Sequence, residues 1–320
     1  MFSVYGVENP LMDIIAHVDF SLLKKLGKTP GTMNLVDFQE LERLRGGLSS
    51  YRTIPGGSCA NTIRGIAWLN RSGELPPPVY SGAVGRDGIG DLYIKGIEEF
   101  GVTAAISRKA TATGCSLILV TPDGERTMNT YLGACREFTP EDLDMDKLAH
   151  SRILHITGYL WDTDNQRKAS EVALSAACSA GLTVSFDLAD PFAVKRYGEI
   201  FMPLIPECVD ILFANREELS LLTGTECTED CMKAASALAP TVVMKAGADG
   251  CYIGREGGVI HVPAFPARVV DTTGAGDSFA AGYLFGLLTG RSTEECAAMA
   301  NKLAAGIVGV EGCDYLALKA

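Results

Sequence analysis

Short apolar or β-branched runs alternate along the chain with longer segments that repeat apolar residues at helical spacing. The runs predict buried strands at residues 3–7, 79–84, 153–156, 183–187, 211–214 and 241–245. The segments between them predict helices at residues 61–69, 89–100, 166–180 and 216–223, the last two ending at Gly181 and Gly224. This alternation predicts an α/β fold with a doubly wound, mostly parallel sheet flanked by helices.

Two stretches interrupt this rhythm and predict a small β-rich lid. Residues 14–54 are an insertion that begins with alternating polar and apolar positions. Within residues 102–135, strand-like runs at 111–120 and 125–132 flank the turn Pro122-Asp-Gly124, which is typical of a hairpin. We expect a single domain over residues 1–320, with the two lid segments, about 14–54 and 102–135, covering the sheet edge where ligands of open α/β sheets bind.

The composition indicates a globular protein whose partner is a small molecule. With 320 residues, 47% of them hydrophobic, the chain can bury a large core. Its formal net charge of −11 argues against a nucleic-acid partner, because binding to phosphate backbones needs a basic surface.

Targeting signals are not predicted either. The uncharged stretch 278–290 is shorter than the roughly 18 residues of a membrane span, and residues 1–20 lack Lys and Arg. The ten cysteines form no C-x-x-C pair and the four histidines show no zinc-site spacing, so reduced thiols in a cytoplasmic protein are expected.

The run Asp271-Thr-Thr-Gly-Ala-Gly-Asp277 joins an apolar, strand-like segment at 268–270 to a predicted helix that ends near Gly290. Glycines at a helix start free backbone N–H groups for an anion, and the helix dipole adds positive charge there. Asp277 is unwelcome beside a phosphate unless it accepts a proton from a hydroxyl that attacks phosphorus. The alternative is a carboxylate that only stabilises the helix N-terminus.

A second glycine cluster, Pro55-Gly-Gly-Ser-Cys-Ala-Asn61, precedes the first predicted helix. Gly56 and Gly57 would let a ligand approach the backbone, and Asn61 could bond a sugar hydroxyl. Ser58 is either part of that site or a cap for the helix. A third cluster, at residues 82–90, also ends a strand and opens a helix.

In combination, the clusters at 55–61 and 271–282 resemble the two signatures of the ribokinase or PfkB family of carbohydrate and nucleoside kinases. The runs 82–90, Asn215-Arg-Glu-Glu218 and Lys245-Ala-Gly-Ala-Asp-Gly250 are similar to further family landmarks in the same order. The resemblance spans nearly the whole chain and implies a ribokinase-like kinase domain.

The resemblance implies a set of catalytic residues. Asp277 would be the general base, and the amides of Gly274, Ala275 and Gly276 would form an anion hole. Arg126 resembles a lid arginine that clamps the transferred phosphate, although an exposed hairpin arginine is the simpler reading. These residues would move a phosphoryl group from ATP to an alcohol.

The nucleotide and its metal are assigned by the same resemblance. Asn215 and Glu218 match an N-x-x-E motif that supports Mg²⁺ through water, while Asn215 also suits a helix cap. Lys245 departs from the small polar residue expected at its position, and Asp271 would adjoin a monovalent cation such as K⁺. The implied ATP-binding set is Asn215, Glu218, Lys245, Gly247, Gly250, Gly274 and Gly276.

Within the family, Asn9-Pro-Leu-Met-Asp13 resembles a segment of the adenosine kinases, in which the carboxylate matching Asp13 holds the ribose diol. Leu11 and Phe192 would then contact the purine. Two phenylalanines of those enzymes are replaced here by Tyr159-Leu160-Trp161, which weakens the expectation of a purine site. The implied acceptor-binding set is Asn9, Leu11, Asp13, Gly56, Gly57, Ser58, Asn61 and Phe192.

The leading hypothesis is an ATP-dependent phosphotransferase that acts on the 5′-hydroxyl of a nucleoside, first of all adenosine, giving AMP in purine salvage. A kinase of the same fold for ribose or fructose is the alternative, and a non-catalytic nucleoside- or sugar-binding regulator is a third hypothesis. An intact Asp277 speaks against the regulator, because a sensor needs no base. The expected state is a monomer or a homodimer.

Overall fold

A computed structural model describes residues 1–318, and it contains one large and one small sheet. The large sheet has nine strands in the order β14-β13-β12-β11-β10-β9-β1-β5-β6, and the small one has five in the order β3-β8-β7-β2-β4. The strands are β1 (Phe2–Val7), β2 (Leu11–His17), β3 (Met33–Leu35), β4 (Arg52–Gly56), β5 (Val79–Gly85), β6 (Thr103–Lys109), β7 (Gly114–Val120), β8 (Arg126–Tyr131), β9 (Ser151–Thr157), β10 (Thr183–Asp187), β11 (Ile211–Asn215), β12 (Thr241–Lys245), β13 (Cys251–Arg255) and β14 (Gly258–Val262).

The large sheet confirms the predicted parallel core. Strands β12 through β6 in that order are all parallel, and the six predicted strands are six of these seven. Strands β13 and β14 are antiparallel and were not predicted. Glu256 and Gly257, both with positive φ, form the two-residue turn between them. Asn-Gly is the usual sequence signal for such a turn, and Glu-Gly is a weaker one.

Helices cover both faces of the large sheet, and two apolar cores result. One core contains Tyr80, Phe279 and Tyr283, and the other contains Trp161 and Phe186. The helices are α1 (Phe20–Lys25), α2 (Phe38–Gly46), α3 (Ser58–Leu69), α4 (Gly88–Glu98), α5 (Met145–Ala149), α6 (Asp164–Ala180), α7 (Pro191–Cys208), α8 (Arg216–Thr223), α9 (Thr228–Ala235), α10 (Ala275–Leu288) and α11 (Thr293–Ile307). The predicted doubly wound α/β layout is therefore confirmed.

The small sheet is built from the two stretches that interrupt the βα rhythm. Strands β7 and β8 form the predicted hairpin, and β2 pairs in parallel with β7 and antiparallel to β4. The predicted segment 102–135 was too long at its start, because β6 is the edge strand of the large sheet. The backbone N–H and C=O groups of β6 are satisfied by pairing with β5. The sequence pattern of a short strand does not show which of the two sheets it joins.

The segment before α10 also differs from the expectation. Residues 268–270 form no strand, and the side chains of Val269 and Val270 are largely exposed. The backbone N–H of Val270 donates to Val308 O over 2.7 Å, so this segment is tied to the end of α11 instead of to a sheet. Among residues 1–318, no helix combines the length and apolar character of a membrane span.

Candidate active site

One cavity of about 1220 Å³ lies where the carboxyl ends of the parallel strands face the small sheet. Glu8, Asp187 and Lys245 reach it from strand ends β1, β10 and β12, while Leu11 and Asp13 reach it from β2. The start of α10 closes one side. Because each strand end contributes a side chain, residues far apart in sequence converge here.

Asp277 lies in the first turn of α10 with both carboxylate oxygens held by α3. Ser58 Oγ donates to Asp277 Oδ1 over 2.6 Å, and Asn61 Nδ2 donates to Oδ2 over 2.8 Å. Asn61 is itself fixed by buried Arg64, whose Nη2 donates to Asn61 Oδ1 over 2.7 Å. The two motifs predicted from sequence are therefore one structural unit that orients the carboxylate toward the cavity.

Helix α3 begins at Ser58 itself, whereas a capping residue would have to precede the helix. The residue before the helix is Gly57, with a positive φ and no side-chain bond. The interpretation of Ser58 as a helix cap is therefore wrong, since its hydroxyl is spent on Asp277.

Burial raises the pKa of Asp277 to about 6, and the hydrogen bonds from Ser58 and Asn61 oppose that rise. The negative charge of Asp187 raises the pKa further, while the Lys245 ammonium lowers it. A carboxyl with this pKa is largely ionised at neutral pH and can accept a proton.

Gly274 starts α10 in the left-handed conformation, with φ 73°. A side chain there would strain the backbone, and its Cβ would lie 2.5 Å from Cys313 Cβ and Sγ. The Ala275 N–H donates to Thr272 O over 3.2 Å, so the predicted anion hole of three amides needs correction at Ala275. Gly274 and Gly276 line the cavity, and the first-turn amides of Gly276 and Asp277 have no acceptor within the helix.

Asp13 faces the cavity from β2 without a protein partner for its carboxylate among residues 1–318. Burial raises its pKa to about 7, against the lowering effect of Arg64 and Arg126. Gly56 has no room for a side chain because a Cβ would collide with this carboxylate. An open carboxylate of this kind suits a ligand with adjacent hydroxyls.

Asn9 lines the same cavity as Asp13 and is almost fully buried. Its Oδ1 accepts from Gln166 Nε2 over 2.5 Å, which fixes the amide at the cavity wall. A Cβ on Gly57 would lie 2.7 Å from Asn9 O, so the backbone of the second glycine cluster packs directly on this segment. The cavity lining thus includes four residues of the predicted acceptor-binding set, Asn9, Asp13, Gly57 and Ser58. Gly56 does not line the cavity and instead packs against the Asp13 carboxylate.

Glu8 is a cavity residue that the sequence reading missed. Its carboxyl accepts from the Cys59 N–H over 2.6 Å and from the Thr157 hydroxyl. Burial raises its pKa to about 8, which these two hydrogen bonds partly offset. The available signal was an acidic residue ending an otherwise apolar buried strand.

The wall formed by the small sheet is mainly apolar, with Asp13, Ser116 and Thr130 as its polar side chains. Its apolar side chains belong to Leu11, Met33, Leu35, Ile118 and Met128, and Leu132 follows directly after β8. Tyr159 and Phe192 add aromatic rings at the opposite wall, and Phe192 is 53% exposed. Leu160 and Trp161 are buried in the core instead, with Trp161 packed edge-on against Phe186 and Phe201. Of the three residues at 159–161, only Tyr159 faces the cavity.

Asn215 and Glu218 form a reciprocal cap at the start of α8. Asn215 Oδ1 accepts from the Glu218 N–H over 2.9 Å, and the Glu218 carboxylate accepts from the Asn215 backbone and side-chain N–H groups over 2.7 and 2.6 Å. The cap interpretation is confirmed. Burial raises the pKa of Glu218 to about 7, with Lys245 lowering it and Asp187 raising it.

The residues present fit a magnesium ion held through water. Glu218 lines the cavity as a nearly inaccessible carboxylate, and a cation would compensate its buried charge. No group of three His, Cys, Asp or Glu side chains within residues 1–318 is arranged to hold a metal directly. Phosphates and waters would therefore have to supply most of the ligands.

Lys245 and Asp187 form a buried ion pair at the floor of the cavity. Lys245 Nζ lies 2.8 and 3.0 Å from the two carboxylate oxygens of Asp187. Burial lowers the pKa of Lys245, but Asp187 and Glu218 more than offset this and raise it overall. Asp187 was not predicted as a site residue, because a lone aspartate at the end of a strand carries no signal of its partner two strands away.

Beyond Lys245 the cavity continues as a mainly apolar cleft beside Gly247 and Gly250. Phe265, Val269 and Val308 line it. The cleft and the start of α10 together offer one apolar and one anion-binding region, which fits a nucleotide.

Arg126 is not the exposed hairpin residue of the simpler reading. Its Nη2 lies 2.7 Å from Asp271 Oδ2, and its Nη1 donates to Thr273 Oγ1. Asp271 also accepts from the Thr273 and Gly312 backbone N–H groups over 2.9 and 2.5 Å. The Asp271 carboxylate is thus engaged by a guanidinium and two backbone N–H groups, and a monovalent cation beside it stays a prediction.

An α/β scaffold whose strand ends surround a carboxylate at a glycine-rich helix start defines a ribokinase-like small-molecule kinase. Residues 25–320 match the family described as pfkB family carbohydrate kinase, and the chain belongs to this family. It is an ATP-dependent kinase.

Three similar proteins illustrate the family. The adenosine kinase from Sinorhizobium meliloti shares 36% identity and a TM-score of 0.90, with 99% of this chain and 97% of that chain covered. A probable sugar kinase from Rhizobium etli CFN 42 shares 35% identity and a TM-score of 0.89, covering 98% and 94%. An ATP-dependent ribose-1-phosphate kinase from Halopiger xanaduensis is 32% identical over 83% of this chain and 84% of its own length.

Proposed function

We propose that the protein phosphorylates the 5′-hydroxyl of a nucleoside with ATP, with adenosine as the preferred acceptor and AMP as the product. One observation carries this proposal. Asp277, held by Ser58 and Asn61, lines the same cavity as Asp13, whose carboxylate has no protein partner within residues 1–318. A general base and a free carboxylate that can accept hydrogen bonds from two adjacent hydroxyls, both in one cavity, suit a ribosyl group with a reactive primary alcohol.

In the proposed reaction, the acceptor hydroxyl attacks the γ-phosphorus of ATP and gives its proton to Asp277. An oxygen–phosphorus bond to the acceptor forms while the bond between the γ-phosphorus and the β-γ bridging oxygen breaks, and ADP leaves. The start of α10, through Gly274, Gly276 and the Asp277 amide, would receive the charge on the transferred phosphoryl group. Arg126 would join this group after leaving Asp271.

The nucleotide would occupy the cleft beside Gly247 and Gly250, with its phosphates toward Lys245 and α10. Mg²⁺ would be held by these phosphates and by waters on Glu218 and Asn215, and it would neutralise phosphate charge. We place the chain in one catalytic domain, over which the small sheet acts as a lid.

A nucleoside is favoured over a free pentose by the apolar side chains on the small-sheet wall of the cavity. Side chains such as Leu11, Ile118 and Met128 would face a nucleobase, and Tyr159 and Phe192 offer rings opposite them. A small sugar would leave this wall in contact with water. The similarity to the Sinorhizobium meliloti adenosine kinase supports the same choice.

A sugar kinase is the second candidate. The burial of Leu160 and Trp161 removes two side chains that could have stacked on a base. The similar Rhizobium etli and Halopiger xanaduensis proteins are named for sugar and ribose-1-phosphate kinases, which supports this candidate.

The deciding experiment measures ADP release from Mg·ATP in the presence of adenosine, other nucleosides, ribose, fructose and ribose 1-phosphate. We expect adenosine to give the highest kcat/KM. Asp13→Ala should raise KM for adenosine at least about tenfold, the scale of a lost hydrogen bond to a charged group, and leave KM for ATP nearly unchanged.

Asp146→Ala is the matched control, since Asp146 is exposed on α5 and outside the cavity. A higher kcat/KM with a free or phosphorylated sugar than with adenosine would show that the acceptor is the sugar and not a nucleoside. Equal increases in KM for adenosine and ATP in Asp13→Ala would reject the diol contact. No ADP release with any acceptor would reject the proposal.

A further inference from the structure

Lys245 is one of two basic side chains that line the cavity within residues 1–318. The basic side chains among the cavity-lining residues of the described chain are Lys245 and Arg196, and Arg196 is engaged at the rim with Asp162 and the Phe192 ring. Lys245 is therefore the cavity-lining basic group on the α10 side, since Arg126, which also lies near the start of α10, is held by Asp271 and Thr273. Its side chain is 15% exposed, and that of Asp187 is 2% exposed.

The ammonium lies directly over the start of α10. A Cβ on Gly276 would be 3.2 Å from Lys245 Nζ, so the nitrogen is in near contact with the second residue of the helix. The same turn carries Asp277 and the unpaired first-turn amides. A phosphoryl group bound at these amides would lie within reach of the lysine.

Asp187 fixes the direction of the ammonium. A lysine has three N–H donors, and Asp187 takes two of them through its two oxygens. Asp187 ends β10 and Lys245 ends β12, and β11 lies between these two strands, so the ion pair crosses the strand end that carries Asn215. Two fixed bonds leave one donor, and the near contact with Gly276 places it on the cavity side.

We propose that Asp187 positions Lys245 so that its third N–H contacts an oxygen of the phosphoryl group during transfer. Lys245 is then a catalytic residue and Asp187 a positioning residue, and both roles rest on the proposed phosphotransfer. A preoriented cation that is largely buried acts most strongly where charge shifts during the reaction, which is at the transferred group.

The test compares Lys245→Met with Lys245→Arg, Asp187→Asn and the double variant Lys245→Met/Asp187→Asn, and uses Lys302→Met on the exposed face of α11 as control. We expect kcat with adenosine to fall at least about a hundredfold in Lys245→Met, the scale of a lost donor to a developing charge. Lys245→Arg should recover part of kcat, because a cation is restored. Asp187→Asn should lower kcat less than Lys245→Met.

The double variant separates catalysis from folding. Removing one partner leaves a buried charge, whereas removing both relieves that cost. We expect the double variant to regain the thermal stability that Lys245→Met loses and to stay as inactive as Lys245→Met. Recovery of kcat in the double variant would show that the pair is only structural and would overturn the proposal.

Binding measurements supply a second readout. Calorimetry with Mg·ADP, alone and with aluminium fluoride plus adenosine, compares a product nucleotide with a planar phosphoryl mimic. Lys245→Met should bind Mg·ADP like the unmodified protein and lose the added affinity of the aluminium fluoride complex. Equal loss for both ligands would assign Lys245 to nucleotide binding alone and overturn the proposal.

The outcomes remain distinct from those of the proposed function. If the unmodified protein turns over no acceptor, the phosphotransfer itself fails. If it is active and Lys245→Met keeps its kcat, only the role of Lys245 fails.

Discussion

At the scale of single residues, Asp277 is governed by two opposing influences. Burial favours the neutral acid, while hydrogen bonds from Ser58 and Asn61 favour the carboxylate. The resulting pKa of about 6 keeps the base ionised at neutral pH and leaves it basic enough to take a proton.

This balance predicts a pH dependence. Asp277 and Asp13 both act as carboxylates, so kcat/KM for the acceptor should begin to fall as pH drops below about 7, through Asp13, and fall more steeply in the acid limb below about 6, through Asp277. Ser58→Ala removes a bond that favours the carboxylate and should move the midpoint of this acid limb upward by about one pH unit. The measurement is a pH profile of kcat/KM for the two proteins.

Asp277→Asn provides the reference for that profile. It should retain acceptor binding and lose at least about a hundredfold in kcat, the usual effect of removing a general base. An unchanged kcat in Asp277→Asn, or an acid limb that Ser58→Ala does not move, would take Asp277 out of this role.

At the scale of elements, the start of α10 depends on Gly274. Gly274 and Gly181 both have positive φ, yet they differ in their surroundings. A Cβ on Gly181 meets open space, whereas one on Gly274 meets Cys313. The pair therefore separates backbone strain from steric exclusion.

We expect Gly181→Ala to lower the free energy of unfolding by about 1 kcal/mol, the cost of a left-handed alanine. Gly274→Ala should cost about 1–3 kcal/mol more, because Cys313 must shift. It should also lower kcat, since the anion-binding amides move with the helix start. Urea unfolding and steady-state kinetics provide both measurements, and equal unfolding costs for the two variants would contradict the packing argument.

At the scale of the whole molecule, ion pairs tie the small sheet to the large domain. Arg126 on β8 pairs with Asp271, and Arg52 on β4 lies 3.0 Å from Glu311 Oε2. His17, at the end of β2, contacts the other oxygen of Glu311 over 2.6 Å. The segments that they reach adjoin α10 and α11, so the position of the small sheet is coupled to the anion-binding turn.

Arg126→Met is expected to loosen this coupling. Amide hydrogen exchange across the β7–β8 hairpin should become faster because one tie to Asp271 is gone. The kcat should fall at least about tenfold, which corresponds to one charge-assisted contact in the reaction. Mass spectrometry of exchange and kinetics measure the two effects.

Arg71→Met is the control for Arg126→Met, since Arg71 is exposed on the chain segment after α3. Hairpin exchange and kcat that both match the control would show that Arg126 neither ties the small sheet nor serves the reaction.

Elements encoded by a local run of residues agree between sequence and structure, whereas a segment whose backbone partner is distant does not. The six strands and the helix ends at Gly181 and Gly224 follow from runs that read the same in any context, and the structure confirms them. The segment 268–270 was assigned to a strand because it is apolar. It pairs with neither sheet, and its backbone bonds to the end of α11 instead.

The sequence by itself determined the α/β order and the family, because each strand, each helix and each motif that carries the family resemblance is a short local run of residues. Tertiary structure decided the partners of those residues. Ser58 and Asn61 reach Asp277 from a distant helix, Arg126 takes Asp271, and Asp187 meets Lys245 across β11. Such contacts form only when the parallel strands place their carboxyl ends side by side, which no local pattern of residues encodes.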